Sequence, residues 1–161
     1  MAFFSSEIRL RQIVRYALLV VWIGVIFFLS SGSGSSNETS RFIRPLLEFL
    51  FPAASAETLV FYHAVIRKFA HFAVYFVLGI TAGRAFSSGE RLQKHWWIFA
   101  LIIVAAVASL DEFNQSFEPE RTSTVTDVLL DIFGGLCAVG LFGMLLRKRR
   151  DRYIDRSADD N

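Results

Sequence analysis

Residues Trp96 to Leu146 read WWIFALIIVAAVASLDEFNQSFEPERTSTVTDVLLDIFGGLCAVGLFGMLL. Two apolar runs flank a polar stretch, and each run approaches the ~20 residues that cross a bilayer as a helix. Between them lie Asp111, Glu112, Glu118, Glu120, Arg121 and Asp127, and Asp131 falls inside the second run itself. Charges at membrane depth are costly, so acids kept at these positions must face other polar groups rather than lipid. The stretch therefore predicts two spans joined on one side of a membrane, with polar groups turned inward at that end.

The whole chain agrees with this reading. Its 161 residues are 53% hydrophobic and include 17 Phe, with mean hydropathy +0.43. A soluble domain has roughly 45–50% apolar residues even with glycine counted. Lipid solvates the outward faces of membrane helices, so a membrane protein tolerates the excess. A net charge of +2 gives no support to nucleic-acid binding. The single cysteine, Cys137, excludes an intrachain disulfide and any metal-type cysteine spacing.

Four spans are expected, at about residues 13–30, 69–86, 95–113 and 128–146. Residues 13–30, with Arg9, Arg11 and Arg15 ahead of their apolar core, resemble a secretory leader. Their apolar core is longer than a leader's, and no clear A-x-A site follows, so they are read as a span. Ser30 to Ser40, SSGSGSSNETS, reads as a flexible linker. RFIRPLLEFLFP then suits a short interfacial helix with Pro45 near its start. The residues after it lead as one helix into the second span. Trp96 and Trp97 suit an aromatic belt, and Gly134, Gly135, Gly140 and Gly143 suit close helix packing. The fold expected is an all-α integral membrane protein with four transmembrane helices and an interfacial helix in the first outer loop.

Lys and Arg in short loops favour the cytoplasmic side. Of the 17 Lys and Arg, 12 lie in the N-terminal segment, the second connection and the C-terminal segment. Both termini are therefore expected in the cytoplasm, with residues 151–161 as a polar cytoplasmic tail. The basic run Arg147 to Arg152, directly after a span, reads as an anchor for anionic lipid heads rather than a nucleic-acid patch. The first and third connections then face outward. Lys68 and His71, His71 and Tyr75, Asp111 and Gln115, and Asp127 and Asp131 each share a helix face by spacing. Arg67, Lys68 and Arg121 are the natural counter-charges for the acids. The expected result is a polar pocket opening outward.

At these residues the sequence resembles the VanZ family of small bacterial membrane proteins. The likeness rests on WIGVIFFLSS (Trp22 to Ser31), RKFAHFAVYFVLG (Arg67 to Gly79), DEFNQSFEPERTSTVTDVLLD (Asp111 to Asp131) and GGLCAVG (Gly134 to Gly140). It covers most of residues 20 to 145, and residues 1–150 read as a single domain of this kind. The family's loose patterns fall on Lys68, His71 and Tyr75, then Asp111, Glu112 and Gln115, then Arg121 and Asp127. One departure is Pro119-Glu120-Arg121, where the family commonly has a proline-glycine turn before the arginine. The resemblance implies a multi-pass protein of the bacterial plasma membrane, in a family associated with resistance to the lipoglycopeptide teicoplanin.

Four uses of the polar cluster stay open. The first is binding: Lys68, His71, Tyr75, Asp111, Glu112, Gln115, Arg121 and Asp127 would hold the head of an envelope lipid or lipid-linked wall precursor. The second is catalysis, with His71 as general acid or base beside Asp111 or Glu112. No G-x-S-x-G nucleophile motif is present, and Ser109, Ser116, Thr122 and Ser123 are candidates by proximity alone. The third is a metal held by His71 with Asp111, Glu112 or Asp127. The fourth is a buried ion-pair network that pins the helices, the role given to Asp131. Binding is the favoured use, with no cofactor and no metal assigned. His63 and His95 read as interfacial.

Overall fold

A computed structural model describes residues 2–30, 36–88, 93–116 and 125–159. They form five helices: α1 (Ala2–Ser30), α2 (Ser36–Leu50), α3 (Ala56–Phe86), α4 (Trp96–Gln115) and α5 (Val125–Asp159). No strand occurs among the described residues. Four of the helices, all but α2, are long and apolar enough to cross a membrane.

Each long helix turns one narrow stripe inward. On α1 the stripe is Leu19, Trp22, Ile23, Ile26 and Ser30, the i, i+3, i+4 rhythm of a helix face. Leu18, Val20 and Val21 on the other side are more than half exposed, as expected for a lipid-facing surface. On α3 the buried stripe is Tyr75, Leu78, Gly79, Ala82 and Gly83. On α4 it runs Ala100, Val104, Val107, Ala108, Asp111 and Gln115. On α5 it runs Asp131, Gly134, Gly135, Ala138 and Val139. The acids are thus buried because they continue the same faces that make the core.

Helices α3 and α5 run parallel in close register. Lys68 meets Asp127, His71 meets Asp131 and Gly79 faces Ala138, so the partners climb together along both helices. Small residues make this approach close. A Cβ placed on Gly79 would stand 2.7 Å from the Ala138 Cβ and 2.7 Å from the Gly135 carbonyl oxygen. One on Gly134 would stand 2.6 Å from the Phe72 carbonyl oxygen. One on Gly135 would overlap the Val104 side chain. Gly140, by contrast, has nothing within 4 Å of its Cβ position. The small-residue packing read from sequence therefore holds at Gly134 and Gly135 and fails at Gly140, which lies on the outward face.

That difference predicts opposite effects for one substitution. Gly79→Ala is expected to cost about 1–3 kcal/mol, because neither obstructing group can move without separating two helices. Gly140→Ala is expected to be neutral or stabilising, since alanine is the better helix former. Thermal unfolding in detergent checks both.

Two boundaries differ from the sequence reading. Helix α2 begins at Ser36, nine residues before Pro45, so the second half of the expected linker is helical and the proline is interior. Residues 31–35 lie outside the described residues. Interior proline removes one i−4 hydrogen bond. Pro45 is exposed on a helix that packs against α3 alone among the described helices, where water or lipid heads can satisfy the freed carbonyl. Leu47 is buried beneath α2, while Leu46, Phe49 and Leu50 stand exposed, as an interfacial helix requires. At the other end α5 continues to Asp159, so most of the expected tail prolongs the last helix. Helix α3 starts cleanly because the Ser55 hydroxyl accepts from the Thr58 amide at 3.3 Å.

Candidate functional site

The polar stripe ends of four helices converge at one end of the bundle. Asp111 and Gln115 sit one turn apart near the end of α4, and the Gln115 Nε2 donates to Asp111 Oδ2 at 3.0 Å. The same nitrogen donates to the Ser30 hydroxyl at 3.1 Å, tying the end of α1 to α4. From α3, the Tyr75 hydroxyl donates to Asp111 Oδ2 at 3.1 Å. One carboxylate oxygen thus receives two side-chain donors, while Asp111 Oδ1 is buried without a hydrogen-bond partner.

Asp131 lies opposite on α5. His71 Nδ1 stands 3.4 Å from its Oδ1, an ionic distance. Neither Asp131 oxygen has a hydrogen-bond partner, although the residue is only 1% exposed. Buried oxygens left in this state are rare and call for a reason. His71, Asp111 and Asp131 each bring one ligand-type atom, and these atoms lie within 4.8 Å of one another. This is the set with the spacing to hold a metal among the described residues.

Lys68 takes a different role. Its Nζ pairs with Asp127 Oδ1 at 2.8 Å, with the lysine side chain about half exposed. The pairing of Lys68 with an acid follows the charge balance read from sequence, and Asp127 is not in the close group formed by His71, Asp111 and Asp131. Glu112 is buried at 8% exposure. Arg121, Thr122 and Ser123 lie outside the described residues. The Ser116 hydroxyl donates to the Phe113 carbonyl at 2.7 Å and so closes the end of α4.

A cavity of about 200 Å³ opens beside the cluster. Its polar wall is Ser30, Arg67, His71, Tyr75, Asp111 and Gln115. Its apolar wall is Ile26 and Leu29 from α1, Ile43 from α2, and Ile66, Ala70 and Val74 from α3. Lys68, Glu112 and Asp127 are not among its lining residues. Ser30 and Arg67 are wall residues that the sequence-based site omitted, and Asp131 was read there as a helix pin. A signal for two of them was present. Ser30 continues the Leu19–Ile26 stripe, and Asp131 stands three, four and seven residues before Gly134, Gly135 and Ala138.

The fold and cluster define a multi-pass α-helical membrane protein with a buried polar site at one end of its bundle. The VanZ/LLP1 family model matches residues 15–147, and the chain belongs to that family. No curated protein and no solved structure matches the chain.

Proposed function

We propose that this protein binds the head group of an envelope lipid or a lipid-linked wall precursor at the outer face of the bacterial plasma membrane. The observation that carries the reading is the cavity's divided wall. An apolar side faces a side bearing Arg67, His71, Tyr75 and Asp111, which suits an amphiphile whose head enters and whose chains stay in lipid. At about 200 Å³ the space matches a head group; whole drug-sized ligands take ~300–1,000 Å³. Leu29 and Ile66, each at least 40% exposed, extend the apolar wall toward the bilayer. Sequestration of a wall precursor also supplies a route to the teicoplanin-type resistance associated with the family.

Native mass spectrometry of mildly solubilised protein, with and without Asp111→Asn, tests this. A defined lipid is expected on the unmodified chain and not on the variant. The same loose lipids on both, or none on either, would overturn the reading.

The outward placement rests on the distribution of Lys and Arg. It predicts that Phe117→Cys, in a Cys137→Ser background, reacts with an impermeant maleimide added to intact cells. Glu90→Cys should stay unlabelled until the membrane is opened. The reverse pattern would put the cavity on the cytoplasmic side.

A structural role is the competing reading. It is favoured by the Lys68–Asp127 and His71–Asp131 pairs, both of which join α3 to α5.

A further inference from the structure

We propose that His71, Asp111 and Asp131 together bind one divalent transition-metal cation in the inner wall of the cavity. The inference goes beyond the amphiphile reading and does not depend on it, since either ligand can be present without the other.

Charge balance is the first reason. Two carboxylates are 2% and 1% exposed inside an apolar bundle. Three of their four oxygens, Asp111 Oδ1 and both oxygens of Asp131, lack a hydrogen-bond partner. Lys68, the nearby lysine, is committed to Asp127. A single ion of charge two would neutralise both acids at one point and occupy the orphaned oxygens. Asp131 has only the 3.4 Å contact with His71 beside it, and buried carboxylates that are not fully partnered carry a desolvation cost.

The surrounding groups are arranged as metal-site neighbours are. Tyr75 and Gln115 both donate to Asp111 Oδ2, and Ser30 accepts from the Gln115 amide in turn. They fix the carboxylate with its other oxygen free, which is how outer groups orient a ligand toward a metal. The three donors come from α3, α4 and α5, and the close α3–α5 contact at Gly79 holds two of those helices in register.

Donor chemistry narrows the ion. One imidazole nitrogen with two carboxylates suits zinc, manganese or iron, whereas magnesium and calcium prefer all-oxygen sets. Three protein ligands leave at least one coordination position open, as in sites that engage a further ligand. His71 and Asp111 both line the cavity, so the open position faces it. Such an ion holds its donors at about 2.0–2.2 Å, and the three donor atoms already lie within 4.8 Å of one another.

The test uses the full chain in detergent, stripped with a chelator and then dialysed against Zn²⁺ or Mn²⁺. Elemental mass spectrometry is expected to find about one ion per chain. Asp131→Asn should hold less than a tenth of that, while Lys68→Ala keeps it. Tyr75→Phe should retain the site with affinity lowered about 10- to 100-fold. Cobalt loading should give a visible absorption spectrum in the unmodified protein and none in Asp131→Asn. If Asp131→Asn does not fold, His71→Gln carries the same expectation at a position partly open to the cavity. Failure of the unmodified chain to retain near-stoichiometric metal, or full retention by Asp131→Asn or His71→Gln, would overturn the proposal. Because elemental analysis does not register lipid, its failure stays separate from that of the amphiphile reading.

Discussion

Asp131→Asn is expected to raise the melting temperature of the metal-stripped protein in detergent. The carboxylate is 1% exposed and has two oxygens without a hydrogen-bond partner. A buried polar group in that state costs about 1–3 kcal/mol, and more when it is charged. Asparagine has nearly the same shape and removes the charge. The expected gain is about 1–2 kcal/mol, or roughly 2–8 °C for a chain of this length. A gain of that size would mark Asp131 as a residue that lowers stability, as groups at functional sites often do.

The competing structural reading predicts the opposite sign. If the His71–Asp131 contact exists to pin α3 on α5, removing one partner strands the other and costs about 3–5 kcal/mol. The melting temperature would then fall by several degrees. Lys68→Ala is a useful companion. Its side chain is about half exposed although that of Asp127 is 19% exposed, and surface pairs contribute about 0–1 kcal/mol. Lys68→Ala should therefore leave the melting temperature nearly unchanged, and a large loss would favour the scaffold.

Much of this architecture was legible because membrane helices declare themselves by length and polarity. The same rule located the polar end. Asp111 and Gln115, spaced one turn apart, were expected to share a face, and they do so through a 3.0 Å hydrogen bond. Lys68 was expected to balance an acid and pairs with Asp127. Sequence places Asp131 among the buried groups with a pinning role, and it does stand beside His71 across the α3–α5 seam; that neither of its oxygens has a hydrogen-bond partner is not legible in sequence. Gly140 was grouped with its neighbours, yet it sits five residues after Gly135, which turns it away from the α3–α5 seam. The start of α2 was hidden by a Ser- and Gly-rich composition that usually marks a linker. The cavity itself was not legible in its parts. It needs the last turn of α1, Ile43 of α2 and the middle of α3 at one level, and helix periodicity says nothing about relative height.

Ala70→Trp is expected to abolish lipid retention while sparing the polar cluster. Ala70 lines the cavity and is exposed, so a larger side chain there meets open space and not packed core. An indole would fill a large part of about 200 Å³ and block the path between the apolar wall and Arg67. None of the hydrogen bonds around Asp111 involves Ala70, and its neighbour His71 keeps its place in the helix. The variant should therefore fold with an unchanged melting temperature, within about 0.5 kcal/mol as for surface substitutions. Native mass spectrometry should show at least a tenfold drop in the defined lipid. Metal content after reloading should be unchanged, since all three proposed ligands remain. Loss of lipid with metal retained would establish two ligands with separate determinants in one cavity. Retention of the lipid by Ala70→Trp would place its head group elsewhere on the bundle and remove the cavity from the binding reading, whatever Asp111→Asn does.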